Sequence, residues 1–242
     1  MKRSLDWVKR ASERHQSIVT PFLDPRQQSI VQSVCSRDPD VVVFKNGGYH
    51  NAERSRLHIG PSYLIYDEIA FDIAYMRLLP VNGKRLEHRN VLGTLLGLGL
   101  NRDKMGDIIP HDVGCDIVLD QTLLEYIQIH IGQVGRVRVN IVEVQKQELN
   151  IPTVDMKEFV VTVSSMRIDA VIAAGYRMSR TKAGDLIRSE KCKVNWKLIE
   201  NPHYTLQPGD LVSLKGFGRL RVENIQGVTK KEKFIVALAV FG

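Results

Sequence analysis

Apolar residues recur along the first 75 positions at two spacings. Leu5 to Ser17 carries them at helical intervals, and Asp24-Pro25 opens a second helical stretch in which Ile30, Val31 and Val34 form one face. The β-branched run Asp40 to Phe44 predicts a strand that stops at the turn signal Asn46-Gly47-Gly48. Arg54 to Ile59 and Asp72 to Leu78 predict further strands. From about residue 76 the predicted order becomes β-α-β-β-α-β. Ala74 to Leu79 is its first strand, and Glu87 to Leu98 its first helix, stopped by Gly97 and Gly99. Asp107 to Pro110 and Cys115 to Leu119 are short strands around a turn at Asp112 to Gly114. Thr122 is the expected cap of a helix through Val134, which Gly135 ends, and Arg136 to Val144 alternates as the last strand. Gln147 to Glu158 holds Pro152 and several acidic residues and reads as a linker.

The β-α-β-β-α-β order is the ferredoxin-like arrangement also used by RRM domains. The RNP1 pattern with its base-stacking aromatics is missing, so a structural role for this sheet competes on equal terms with base stacking.

The text changes after Ser164. Ser164 to Ile172 begins a short amphipathic helix closed by Gly175, with serine available as N-cap. Ser179 caps a second helix, Arg180 to Ser189, whose Ala183, Leu186 and Ile187 face inward. Lys193-Val194-Asn195-Trp196 is expected as a strand, Pro208-Gly209-Asp210 as a turn, and Leu211 to Lys215 as the next strand. Gly216-Phe217-Gly218 turns into Arg219 to Ile225, and Phe234 to Phe241 closes the set.

Charge sharpens this division. The 242 residues carry a net charge of +7. Residues 1–164 hold 20 Lys and Arg against 20 Asp and Glu, whereas residues 165–242 hold 14 against 7. An excess confined in this way is the footprint of a polyanion binder, since each phosphate that Lys or Arg neutralises releases counterions. Arg180 and Lys182 stand in the first turn of their helix, where the helix dipole disfavours cations. An external anion explains them better than helix stability does, and free backbone N–H groups at that end favour phosphate oxygens.

Other chemistry finds little support. Cys35, Cys115 and Cys192 are far apart in sequence and form no CxxC or Cys/His cluster, so neither a metal nor a disulfide framework is indicated. No apolar run approaches the ~18 residues of a membrane span, and the charged start lacks a signal-peptide core. None of the seven histidines has an acid/base partner pattern. Gly93, Gly97 and Gly99 end a helix instead of opening one after a strand, which argues against a dinucleotide loop.

Arg167/Asp169/Val171, then Ser179/Arg180/Ala183/Leu186/Ile187, then Lys193-Val194-Asn195 and Pro208-Gly209-Asp210/Val212 resemble the S4 RNA-binding domain. Cys192 stands where that pattern has its first apolar residue. Thr20 to Arg26, Gly47-Gly48-Tyr49 with Ala52-Glu53-Arg54, His88 to Gly93, Gly106-Asp107-Ile108 and Gly216-Phe217-Gly218-Arg219 extend the resemblance over nearly the whole chain, to the YlmH family. The resemblance implies a bacterial, cytoplasmic protein that associates with the large ribosomal subunit in ribosome-associated quality control, its S4 domain contacting 23S rRNA and P-site peptidyl-tRNA. A related S4 subfamily occurs in photosynthetic organisms.

The expected fold class is α+β. It comprises a small N-terminal α/β domain (1–75), a central RRM-like or ferredoxin-like domain (76–146), a linker (147–163) and a C-terminal S4 domain of αL type (164–242). The expected function is non-catalytic, without cofactor or metal. Arg167, Ser179, Arg180, Lys182, Arg188, Lys193, Asn195, Lys215 and Arg219 are the expected residues for rRNA and tRNA, and residues 1–163 a surface for protein partners. Trp196 is equally suited to base stacking and to packing. Two other classes compete: an S4-containing RNA-modifying or tRNA-related enzyme, and a protein-interaction adaptor linked to cell division. Against the first, His58-Ile59-Gly60 lacks the second histidine of a synthetase signature, and Arg167-Ile168-Asp169, the one string like a pseudouridine synthase motif, belongs to the S4 helix.

Overall fold

The turn and alternation signals resolve into two units, Met1–Pro152 and Thr153–Gly242, in a computed structural model that describes residues 2–65, 69–152 and 156–241. Unit 1 begins with α1 (Lys2–Arg14), β1 (Ile18–Val19), α2 (Pro25–Cys35), β2 (Val41–Asn46) and β3 (Arg56–Pro61). The first helix stops three residues short of the expected Ser17 because His15 takes a φ of 52°. Asp24 and Gln27 form a reciprocal capping box at the start of α2, with Pro25 in its first turn. The strands pair in the order β1-β3-β2, and Leu57 and Ile59 of the central strand pack on Trp7, Ala11 and Val31.

The unit continues through β4 (Ile73–Pro80), α3 (His88–Gly97), β5 (Met105–His111), β6 (Gly114–Asp120), α4 (Leu124–His130), β7 (Gln133–Val134) and β8 (Val137–Glu143). All neighbours are antiparallel, in the order β5-β6-β4-β8-β7, which is the ferredoxin-like sheet with one short strand added. Ala74, Met76 and Leu78 pack with Val91, Leu95 and Ile127 of the two helices. The second helix is shorter than expected. Thr122 does not cap it: Asp120 caps a preceding 3₁₀ turn, Gln121–Leu123, accepting from the Thr122 N–H and hydroxyl at 3.1 and 2.6 Å. The helix ends at His130, freeing Gln133 and Val134 for the sheet.

The other face of this sheet is covered. Phe22, Ile109 and Val118 form a small core with Tyr49, Ile73 and Tyr75 against it. Tyr75, the aromatic of β4 on that face, donates its hydroxyl to the Gly48 carbonyl at 2.8 Å. Gly48 needs a φ of +91°, and a Cβ there would meet Tyr75 and Val118 at 2.9 Å. Asp107 accepts from the Tyr49 hydroxyl and from the Glu53 and Arg54 N–H groups at 2.7 to 3.0 Å. The Arg54 guanidinium donates to the carbonyls of Met105, Phe22 and Arg102. The motifs at Thr20–Arg26, Gly47–Tyr49, Ala52–Arg54 and Gly106–Ile108 thus join the two halves of unit 1. The expected boundary between residues 75 and 76 falls inside β4.

Unit 2 holds β9 (Met156–Val163), α5 (Ile168–Gly175), α6 (Arg180–Arg188), β10 (Cys192–Val194), β11 (Lys197–Leu198), β12 (Leu211–Leu214), β13 (Gly218–Val228) and β14 (Phe234–Phe241). Its six-stranded sheet runs β11-β10-β12-β13-β14-β9, and Val171, Ile172, Ala183 and Ile187 from the helices pack with Val212, Leu220 and Leu238 from the strands. The stretch 147–163, expected as a linker, contains β9, which pairs with β14 over its full 8 residues. Phe159, Val161 and Val163 alternate toward the core, a period-2 signal that the neighbouring proline and acids obscured. The helix expected to start from a Ser164 cap starts instead after Arg167. The strand expected over Lys193–Trp196 ends at Val194, because Asn195 and Trp196 have φ values of 47° and 62° and form the two-residue turn to β11.

Candidate RNA interface

Two groups of cations are built in unit 2. The first surrounds Asp169 in the first turn of α5. Arg167 holds this carboxylate with two parallel bonds, Nε to Oδ1 at 3.1 Å and Nη2 to Oδ2 at 2.9 Å. Arg180, at the start of α6, reaches the same Oδ2 at 2.9 Å. The carboxylate is 9% exposed, whereas the Arg167 and Arg180 side chains are 35% and 48% exposed. Burial alone pushes Asp169 up, but the hydrogen bonds and charges of both guanidinium groups outweigh it and hold the carboxyl below its ordinary value. Two fixed guanidinium groups share one negative charge, so the cluster keeps a net positive charge and donors turned to solvent.

This arrangement corrects the dipole reasoning about Arg180. A cation in the first turn of α6 does not require an external anion, since Asp169 supplies one from inside the fold. Lys182 lies 5.5 Å from the centre of the Phe217 ring and is stabilised there by the ring face. Ser179 accepts from the Lys182 N–H at 3.2 Å, as the cap that its position predicted.

The second group lines a cleft of about 430 Å³ along β10, β12 and β13, with Lys191, Lys193, Lys215 and Arg219 against one carboxylate, Glu190. Lys193, Ser213 and Arg219 are directly opposite one another across the three strands, which puts their side chains on one face in a row. Lys191 was missed in the sequence. Its signal is the alternation Lys191-Cys192-Lys193-Val194, in which Cys192 and Val194 are buried and the lysines between them exposed. Phe217 connects the two groups: its loop borders the cleft, and its ring meets both Lys182 and Tyr176, the latter at 5.7 Å.

Two expected residues stand apart. Arg188 sits in the last turn of α6 and pairs with Asp185 at 3.1 Å. The Asn195 amide bridges the Asp210 carboxylate at 2.7 Å and the Leu211 N–H at 3.0 Å, fixing its own turn. Among the described residues no group of three His, Cys, Asp or Glu side chains is placed to hold a metal ion, and no helix is long and apolar enough to cross a membrane.

Comparison with known proteins places these features. The chain matches three family models in succession: "YlmH, N-terminal" over residues 1–64, "Putative RNA-binding domain in YlmH" over 67–148, and the S4 domain over 166–212. It is 35% identical over 235 residues to the ribosome-associated protein quality control protein P2 of Bacillus subtilis, covering 97% of this chain and 91% of that protein. A 69-residue stretch is 33% identical to the small ribosomal subunit protein uS4 of Desulfotalea psychrophila, covering 27% of this chain and 33% of that protein. The solved structure of the cell division protein ylmH from Streptococcus pneumoniae shares the fold, with a TM-score of 0.56 at 21% identity over 62% of this chain and 92% of that one.

Proposed function

The chain belongs to the YlmH family, and on that premise we propose that it is a cytoplasmic, non-catalytic RNA-binding factor of the ribosome. Its S4 unit grips rRNA and tRNA on the large subunit and holds the peptidyl-tRNA in the P site during ribosome-associated quality control. The observation that carries this reading is the pair Arg167 and Arg180, oriented by one buried carboxylate beside a cleft with Lys191, Lys193, Lys215 and Arg219. A planar guanidinium held by one carboxylate still offers donors in a fixed fork, the geometry that phosphate oxygens take. The name of the Bacillus subtilis relative supports the ribosomal setting.

The cysteines are not set up as thiolate nucleophiles. Burial pushes the thiols of Cys35 up to about 11 and of Cys115 and Cys192 up to about 12, the environment of inert structural cysteines. The test is co-sedimentation of the full chain with separated 30S and 50S subunits. The chain should pellet with 50S, and the Arg167→Ala/Arg180→Ala double variant should lose at least tenfold in affinity. Equal pelleting of both proteins, or a preference for 30S, would overturn the assignment.

A further inference from the structure

Unit 1 carries a second polar cleft, of about 370 Å³, in the turn that follows β2. Lys45, His50 and Lys146 line it with Asn46, Gly47, Tyr49, Asn51, Ala52 and Ser55, and no carboxylate is among the lining residues. Lys45, His50, Asn51 and Lys146 are exposed, so the mouth is cationic and open. Ser55 lies at its base. That residue is fully buried, and its hydroxyl has no hydrogen-bond partner. A buried hydroxyl is ordinarily paired, because an unmade bond leaves its desolvation uncompensated.

Gly47 is packed tightly beside this hydroxyl. A Cβ there would lie 2.4 Å from the Ala52 Cβ and 2.7 Å from both the Ser55 oxygen and the Arg54 carbonyl oxygen, so this lining position takes only glycine. Two ammonium groups at the rim and an unpaired hydroxyl donor at the base suit a ligand that is anionic and rich in acceptor oxygens. A phosphate group meets both requirements.

We propose that this cleft is a second phosphate site, which takes a phosphodiester of an RNA backbone while unit 2 holds the RNA through its own cations. The choice of RNA rests on the function proposed above. It also fits the covered face of the ferredoxin-like sheet: with Tyr75 committed to Gly48, base stacking there is closed, and a backbone contact at the edge of the unit is what remains.

The experiment is a ¹H–¹⁵N titration of the full-length chain with a 12-nucleotide single-stranded RNA and, separately, with inorganic pyrophosphate. The Lys45→Ala/Lys146→Ala variant serves as control, since both side chains are exposed and their loss leaves the core intact. RNA should shift the amide signals of residues 46–55. The variant should lose those shifts, keep the shifts of unit 2, and lower the salt slope of RNA binding by about 1. Shifts with pyrophosphate but not with RNA would overturn the RNA assignment, and no shift with either would overturn the site. Failure of the S4 reading would be seen separately, as unit 2 signals that do not respond to RNA.

Discussion

Arg167, just before α5, and Arg180, at the start of α6, meet at one carboxylate, and Asp169 therefore governs where their remaining donors point. Removing its charge raises the net charge of the unit, which by simple electrostatics should favour RNA. It also releases both guanidinium groups from their fixed positions. Asp169→Asn is accordingly expected to weaken RNA binding by several-fold in a filter-binding assay, and tighter binding would show that orientation contributes nothing. The same variant tests stability. The folded-state carboxyl sits below its unfolded value of about 3.9, so its contribution is present above that pH and lost as pH falls through the folded value. Charge-assisted bonds contribute ~1.5–3 kcal/mol, and the partial exposure of both arginines reduces this to about 1–2 kcal/mol. Urea unfolding should show that difference from wild type at pH 7, and the difference should shrink as the pH is lowered below about 3.9. At this scale the sequence singled out Arg180 through the helix dipole alone and could not show Asp169 as its partner, since that residue, eleven positions upstream, is brought close only by the packing of α5 on α6.

Among elements, β9 changes the picture most. Its register against β14 runs from Phe234↔Val163 to Phe241↔Met156, and Val163 contributes to the core of unit 2. A chain cut at residue 164, where the sequence pattern changes character, would leave the β14 edge unpaired and apolar. Such edges misassemble. A fragment of residues 156–242 is expected to unfold cooperatively in a thermal melt, whereas one of residues 164–242 should aggregate or melt at least ~10 °C lower; equal melting would show that β9 is dispensable. The helices and the ferredoxin-like order were legible because their apolar periods are long and their glycine stops local. The strand β9 and the Asn195-Trp196 turn were not, because the first depends on a partner distant in sequence and the second places Trp196 in a backbone conformation that its residue type does not favour. Turn residues with positive φ, such as Trp196, have no signal in composition.

Across the whole molecule, the division of charge matches the division of labour proposed for the two units. The +7 excess of residues 165–242 was legible in the sequence, as was the S4 pattern, but the role of the front motifs was not. Thr20–Arg26, Gly47–Tyr49 and Ala52–Arg54 carry the family resemblance without saying what they do, and in the structure their polar groups join unit 1 to itself. Such joints are invisible in one sequence because a buried arginine donating to carbonyls looks the same as an arginine awaiting phosphate. The consequence is measurable in salt. Seven cations, Arg167, Arg180, Lys182, Lys191, Lys193, Lys215 and Arg219, with charge offset by Asp169 and Glu190, can engage about four to five phosphates. At ~0.7–0.9 counterions released per phosphate, log K should fall against log salt with a slope of about −3 to −5, or roughly two to three orders of magnitude between 50 and 200 mM. The fragment 156–242 should reproduce that slope to within about 1, the difference being the single phosphate assigned to Lys45, Lys146 and Ser55. A shallow slope for the full chain would mean that RNA is held by contacts other than these cations, and a slope retained only by residues 1–152 would move the interface to the unit that carries only +1 of the net charge.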